Sequence, residues 1–217
     1  TEYQAITLVK EAIKETNVTG FYVVTDEKHS ANNAKDVLFA MDDDGKNIYY
    51  IYTKYSRSSL HHVEVDGSKV KEDKEIDSAV YDRFLMLTAD SKPVYFKSYN
   101  DNNLSGNLMI NRQLVAEKAS SLNCFVNEQN GTFVFYTDYS VSEKMGTLKV
   151  TDGKTIATVS KDVVDVVITP SGNLLYLTDE GVDHDMYIFD DKKSTFISFD
   201  VELIFKVYDW NEHAYFS

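Results

Sequence analysis

The chain has 217 residues, 43% of them hydrophobic and 13% aromatic, with a formal net charge of −13 and a single cysteine. This length and apolar content suffice for a packed core and exclude wholesale disorder. The charge repels phosphate backbones and anionic lipid surfaces, so nucleic acid is excluded as an expected partner, and one cysteine excludes an intrachain disulfide framework.

Basic side chains are almost all lysine, with arginine only at Arg57, Arg83 and Arg112, which leaves little for bidentate phosphate recognition. The chain has no apolar run of the ~18 residues that suggest a membrane-spanning helix. It opens at Thr1 without a signal-peptide pattern, as expected of a processed or truncated product. The first stretch, YQAITLVKEAIKET at 3–16, places Ile6, Val9 and Ile13 on one helical stripe and is expected as a helix, with an outer strand as the alternative. GFYVVTD at 20–26 reads as a strand.

From residue 34 onward the pattern repeats. Apolar triplets recur as IYT at 51–53, YFK at 95–97, FYT at 135–137, YLT at 176–178 and YFS at 215–217, a period of about forty residues. Each triplet follows a polar turn (DDDG, DSKP, QNG, PSG, DWNE), and each turn follows an apolar run (VLFAM, RFLML, LNCFV, DVVIT, LIFKV). A third strand comes next (LHHVEV, NLMIN, TLKVT, MYIFD) and closes at Asp66-Gly67, Asn111-Arg112, Asp152-Gly153 and Asp190-Asp191. A more polar fourth strand completes the unit (KVKEDKE, LVAEKA, TIATVS, TFISFD). The strands are rich in Val, Ile, Tyr, Phe and Thr, and Asp-Gly suits hairpin turns that need positive φ.

Four-stranded antiparallel units of about forty residues are the blades of a β-propeller. The expected fold is therefore all-β, with full blades at about 34–76, 77–119, 120–161 and 162–201 and half blades at about 1–33 and 202–217. Pairing of the two halves gives a single domain over 1–217 with five blades, and an excerpt of a larger propeller is the alternative. Units such as AMDDDGKNIYYIYT followed by LHHVEVDGSKV resemble the TolB-like and WD40-like bacterial propeller repeats over roughly 34–217. No blade ends in a Trp-Asp dipeptide, and the Gly-His pair of WD40 repeats is absent. The resemblance implies ligand or protein binding on a propeller face and an extracytoplasmic or cell-surface location behind an N-terminal signal or anchor. It supplies no catalytic residue.

In a propeller the loops after the second strands open on one face. Tyr55, Tyr99 and Tyr139 stand at the same repeat position there, and Glu180 holds it in the fourth unit. Asp138, Asp179 and His184 lie beside them, and these seven residues are the candidate ligand contacts. The expected ligand is a protein, a peptide or a cell-wall glycan. The competing reading for the tyrosines is packing against the next blade.

No cofactor and no metal is expected. The acidic loop at 178–185 lacks EF-hand spacing, and the histidines lack zinc spacing. His61 and His62 are adjacent on a strand and should face opposite sides. Cys124 reads as a buried structural thiol. With no G-x-S-x-G, H-E-x-x-H or phosphate loop, the chain is expected not to be an enzyme. The alternatives are a structural scaffold and a five-bladed glycoside hydrolase using Asp42, Asp165 or Glu202, of which Asp165 is set among Val163, Val164, Val166 and Val167.

Overall fold

The computed structural model describes residues 38–202 and 204, apart from 43, 67, 68, 180 and 182. The expected N-terminal helix, the strand at 20–26 and the half blade after residue 204 lie outside the described residues. So does any pairing of the chain ends.

Fourteen strands are described, and all described pairings are antiparallel. β1 (Phe39–Met41), β2 (Asn47–Lys54), β3 (Arg57–Asp66) and β4 (Lys69–Ser78) form a four-stranded sheet in chain order. A ten-stranded run, also in chain order, follows. It comprises β5 (Val80–Leu87), β6 (Pro93–Asn100), β7 (Ser105–Ile110), β8 (Gln113–Asn127), β9 (Thr132–Ser140), β10 (Met145–Thr151), β11 (Ile156–Ile168), β12 (Leu174–Asp179), β13 (His184–Phe189) and β14 (Ser194–Val201).

This differs from five separate four-stranded sheets closed into a ring. The described strands give sheets of four and ten strands, and no closed ring is present among them. The reason is local. β8 and β11 are 15 and 13 residues long, and each passes from the place of a fourth strand into that of the next first strand without a turn. Neither crossing carries Gly or Pro. The chain bends instead at positive-φ residues, Lys118 and Asn123 in β8 and Asp162 in β11, and the pairing register shifts around Asn123 and Asp162. Bulges of this kind bend a strand without ending it. Further bulges fall at Asp138 in β9 and Asp200 in β14.

The hairpin turns follow residue chemistry. Asn111 and Arg112 have φ of 47° and 69°, the positive pair that a type I′ turn needs. Asp152 and Asp190 each accept backbone N–H bonds from residues two and three ahead. Two turns are built alike. Thr88 and Thr169 each donate N–H to the carbonyl four residues on, at 2.9 and 2.8 Å, and each hydroxyl accepts that residue's N–H at 3.0 Å. In the second of these, Gly172 has φ 86°, and a Cβ on it would lie 2.7 Å from Gln129 Cβ. Asn127, buried, donates Nδ2–H to the Gly172 carbonyl at 2.6 Å, tying the β8–β9 turn to the β11–β12 turn.

Burial falls from inner to outer strands. The central residues of β6, β9 and β12 are buried on both faces, whereas β4 and β14 are largely exposed. The chain divides into two compact units, 1–98 with 108–114, and 99–107 with 115–217. The first has a core of Ile51, Leu60, Val80, Leu85 and Tyr95, so β5 and β6 pack on one face of β2 and β3. The second is centred on Val134, Tyr136, Leu148, Val163, Leu174 and Tyr176. Each such side chain contributes about 1.5–3 kcal/mol when fully buried. Among the described residues no helix is long and apolar enough to cross a membrane.

Candidate functional site

The β2–β3 connection is only two residues long. Lys54 pairs with Arg57, leaving Tyr55 and Ser56 as the whole turn, with φ of 49° and 62°. Asn-Gly is the favoured occupant of such a turn, because a Cβ in the left-handed region crowds the following carbonyl at about 1–2 kcal/mol per residue. Tyr55 nonetheless sits there, 89% exposed. It belongs to the first compact unit.

The other candidates belong to the second unit. Tyr99, near the end of β6, is half-buried, with its hydroxyl 2.6 Å from Ser121 Oγ. Tyr139 is half-buried edge-on to Tyr136, ring centroids 5.9 Å apart, and burial raises its hydroxyl pKa. Asp138 is the exposed bulge residue of β9, 4.0 Å from Lys118 Nζ, and both side chains are too solvated for that pair to matter much. Asp179 and His184 face each other as the pair closing the β12–β13 connection. Asp179 Oδ1 accepts Gly181 N–H at 3.1 Å and lies 3.9 Å from His184 Nδ1. Glu180 lies outside the described residues. Tyr99 and Tyr139 are thus half-buried within their own unit, while Tyr55 is largely exposed.

Two polar networks of the first unit were not foreseen from the sequence. His61 and His62 do face opposite sides of β3. His62 stacks on Tyr49 at 4.7 Å, with Nε2 2.9 Å from Asn47 Oδ1, and burial lowers its pKa, keeping it neutral near pH 7. His61 stacks on Tyr50 at 4.9 Å, with Nε2 3.0 Å from Ser59 Oγ and Nδ1 3.5 Å from Asp73 Oδ1. Tyr50 donates its hydroxyl to the same carboxylate at 2.9 and 3.2 Å, and burial followed by the Asp73 charge holds that hydroxyl well above its ordinary pKa. Ser59, His61 and Asp73 have the residue types of a nucleophile relay. The carboxylate, however, is buried against Tyr50, and the serine is held in the β2–β3 ladder opposite Tyr52, so the arrangement reads as a satisfied polar layer.

In the second network Asp77 receives the Tyr95 hydroxyl and Lys97 Nζ, the latter at 2.7 Å. Burial pushes the Asp77 carboxyl up, but the bonds from Lys97 and Tyr95 outweigh it and hold the group below its usual range. The only sequence signal for either network is an acid-rich outer strand, KVKEDKEIDS, paired beside a polar-aromatic one.

The remaining chemically suggestive groups bond close to themselves in the chain. Asp42 accepts Lys46 N–H, Asn47 N–H and Asn47 Nδ2–H, which locks the β1–β2 turn. Asp165 accepts only the Val166 N–H at 2.8 Å among the described bonds, and burial raises its pKa. Cys124 donates its thiol to the Ser120 carbonyl, and burial pushes that thiol up to about 12, which disfavours the thiolate. Among the described residues no group of three His, Cys, Asp or Glu side chains could hold a metal.

No protein-family model matches the chain, and no curated protein matches it. Solved structures do. They include an acylaminoacyl peptidase in complex with Z-Gly-Gly-Phe-chloromethyl ketone, 10% identical at a TM-score of 0.48, covering 84% of this chain and 35% of that one. TolB from Acinetobacter baumannii is 14% identical at a TM-score of 0.39, covering 75% and 43%. A Mycobacterium tuberculosis puromycin-hydrolyzing peptidase is 11% identical at a TM-score of 0.43, covering 77% and 31%. The chain therefore spans less than half the length of each. The expectation that the chain is not an enzyme is corrected by these similarities, since peptidases stand among the matched structures. The physical reason is that short motifs register catalytic groups close in sequence, whereas a constellation assembled from separate elements leaves no such trace.

Proposed function

We propose that the chain forms a five-bladed, TolB-like β-propeller that acts outside the cytoplasm as a recognition module. Its ligand, a protein, a peptide or a cell-wall glycan, contacts the turns that follow the second strands. One observation carries the reading: Tyr55 is 89% exposed in a two-residue turn whose backbone disfavours it. A strained turn that presents a bulky aromatic gives up stability, and an aromatic with an apolar body and a polar tip suits contact with a ligand. In the second unit the equivalent contacts are Tyr99, Tyr139, Asp138, Asp179, Glu180 and His184. The −13 charge supports a ligand other than nucleic acid.

The test is binding to an array of muropeptides and polysaccharides, with Tyr55→Asn beside the wild type. The variant should melt at a higher temperature and lose its ligand. Retained binding by Tyr55→Asn, or no ligand on the array and none in a peptide library, refutes the reading.

A further inference from the structure

Three of the exposed large hydrophobic side chains lie together, Phe196, Ile197 and Phe199, at 45%, 46% and 66% exposure on β14. β14 ends the ten-stranded run and has no further strand neighbour among the described residues. A ladder of rings leads to it within the second unit. Tyr176 stacks on Tyr187 at 5.5 Å, Tyr187 meets Phe196 edge-on at 5.5 Å, and Phe196 stacks on Phe199 at 6.0 Å. The ladder starts at a buried ring and stops at an exposed one.

Edge strands are ordinarily blunted by charge. The outer strand of the first sheet obeys this, because β4 reads KVKEDKEIDS. β14 reads STFISFDV and carries no charge before Asp200. We propose that β14 is a strand-docking edge that takes an extended segment of a partner protein, apolar at alternate positions and basic at its N-terminal end. Main-chain bonds to the outer edge of β14, which has no strand neighbour among the described residues, supply affinity, and the partner's side chains extend the aromatic ladder and cover Ile197.

Charge fixes the polarity of the partner. At the start of β14 Lys192 and Lys193 offset Asp190 and Asp191, while at its end Asp200 and Glu202 are both exposed and acidic. An antiparallel partner brings its N-terminus to that acidic end. A second copy of the chain is disfavoured by the repulsion between two molecules of charge −13.

The probe is a fluorescein-labelled peptide, KKVTFTVT, titrated with the full chain and followed by anisotropy. Binding at micromolar concentrations is expected. It should weaken about tenfold or more in Phe199→Glu and in Ile197→Lys, and for the peptide EEVTFTVT. Both positions are exposed, and unchanged melting temperatures establish that the variants fold. The proposal is overturned by no binding of KKVTFTVT, by binding indifferent to the β14 variants, by equal binding of the acidic peptide, or by self-association that those variants abolish.

Discussion

Tyr95 and Tyr136 are both fully buried, and their hydroxyls have opposite circumstances. The Tyr95 hydroxyl donates to the Asp77 carboxylate, which also holds Lys97. The Tyr136 hydroxyl has no hydrogen-bond partner among the described residues. Removing the same oxygen from each therefore tests whether partnering decides the sign. Tyr95→Phe loses a bond to a charged group, about 1.5–3 kcal/mol, and leaves Asp77 one donor poorer. Tyr136→Phe removes a buried polar group that nothing compensates and should stabilise by about 1 kcal/mol. Urea unfolding followed by circular dichroism should place the two variants on opposite sides of the wild type. A Tyr136→Phe loss above about 0.5 kcal/mol would refute the reasoning, because the hydroxyl would then have a partner of value. A pH series adds a second check. The Asp77 carboxyl is held below its ordinary value of 3.8, so the stability it contributes is present above that pH and is lost as pH falls through the folded value. The cost of Tyr95→Phe should shrink over that range.

Asp165 has the opposite linkage: burial raises its folded pKa, so its contribution declines as pH rises from the ordinary Asp value through the folded one. Asp165→Asn should therefore stabilise at pH 7 and have little effect near pH 3, and a gain independent of pH would contradict this. Gly172→Ala must hold an alanine at φ 86° with its Cβ against Gln129, so a loss of more than about 1–2 kcal/mol is expected in the same denaturation assay. Asn127→Ala strips the buried Gly172 carbonyl of its donor at 2.6 Å and should cost about 1–3 kcal/mol. Replacing Tyr55-Ser56 by Asn-Gly should raise the melting temperature by an amount equivalent to about 1–2 kcal/mol, and an unchanged value would remove the strain from the case for Tyr55.

The sequence by itself determined the strands and most of the turns. Period-two apolar patterning needs only neighbouring residues, and Gly153 of Asp152-Gly153 takes the positive φ of its turn at no steric cost. It also determined the opposed faces of His61 and His62, because side chains alternate along any strand. Tertiary structure decided the rest. Nothing local marks Asp162 as a bulge rather than a turn, so only pairing with the neighbouring strand shows β8 and β11 running through. The repeat places Tyr55, Tyr99 and Tyr139 at equivalent positions, yet packing leaves Tyr55 exposed and gives Tyr99 to Ser121 and Tyr139 to Tyr136. The networks on Asp73 and Asp77 join these carboxylates to residues 12 to 23 away along the chain. Such pairings depend on strand register, which emerges only when the sheet assembles and each buried carboxylate finds its donors.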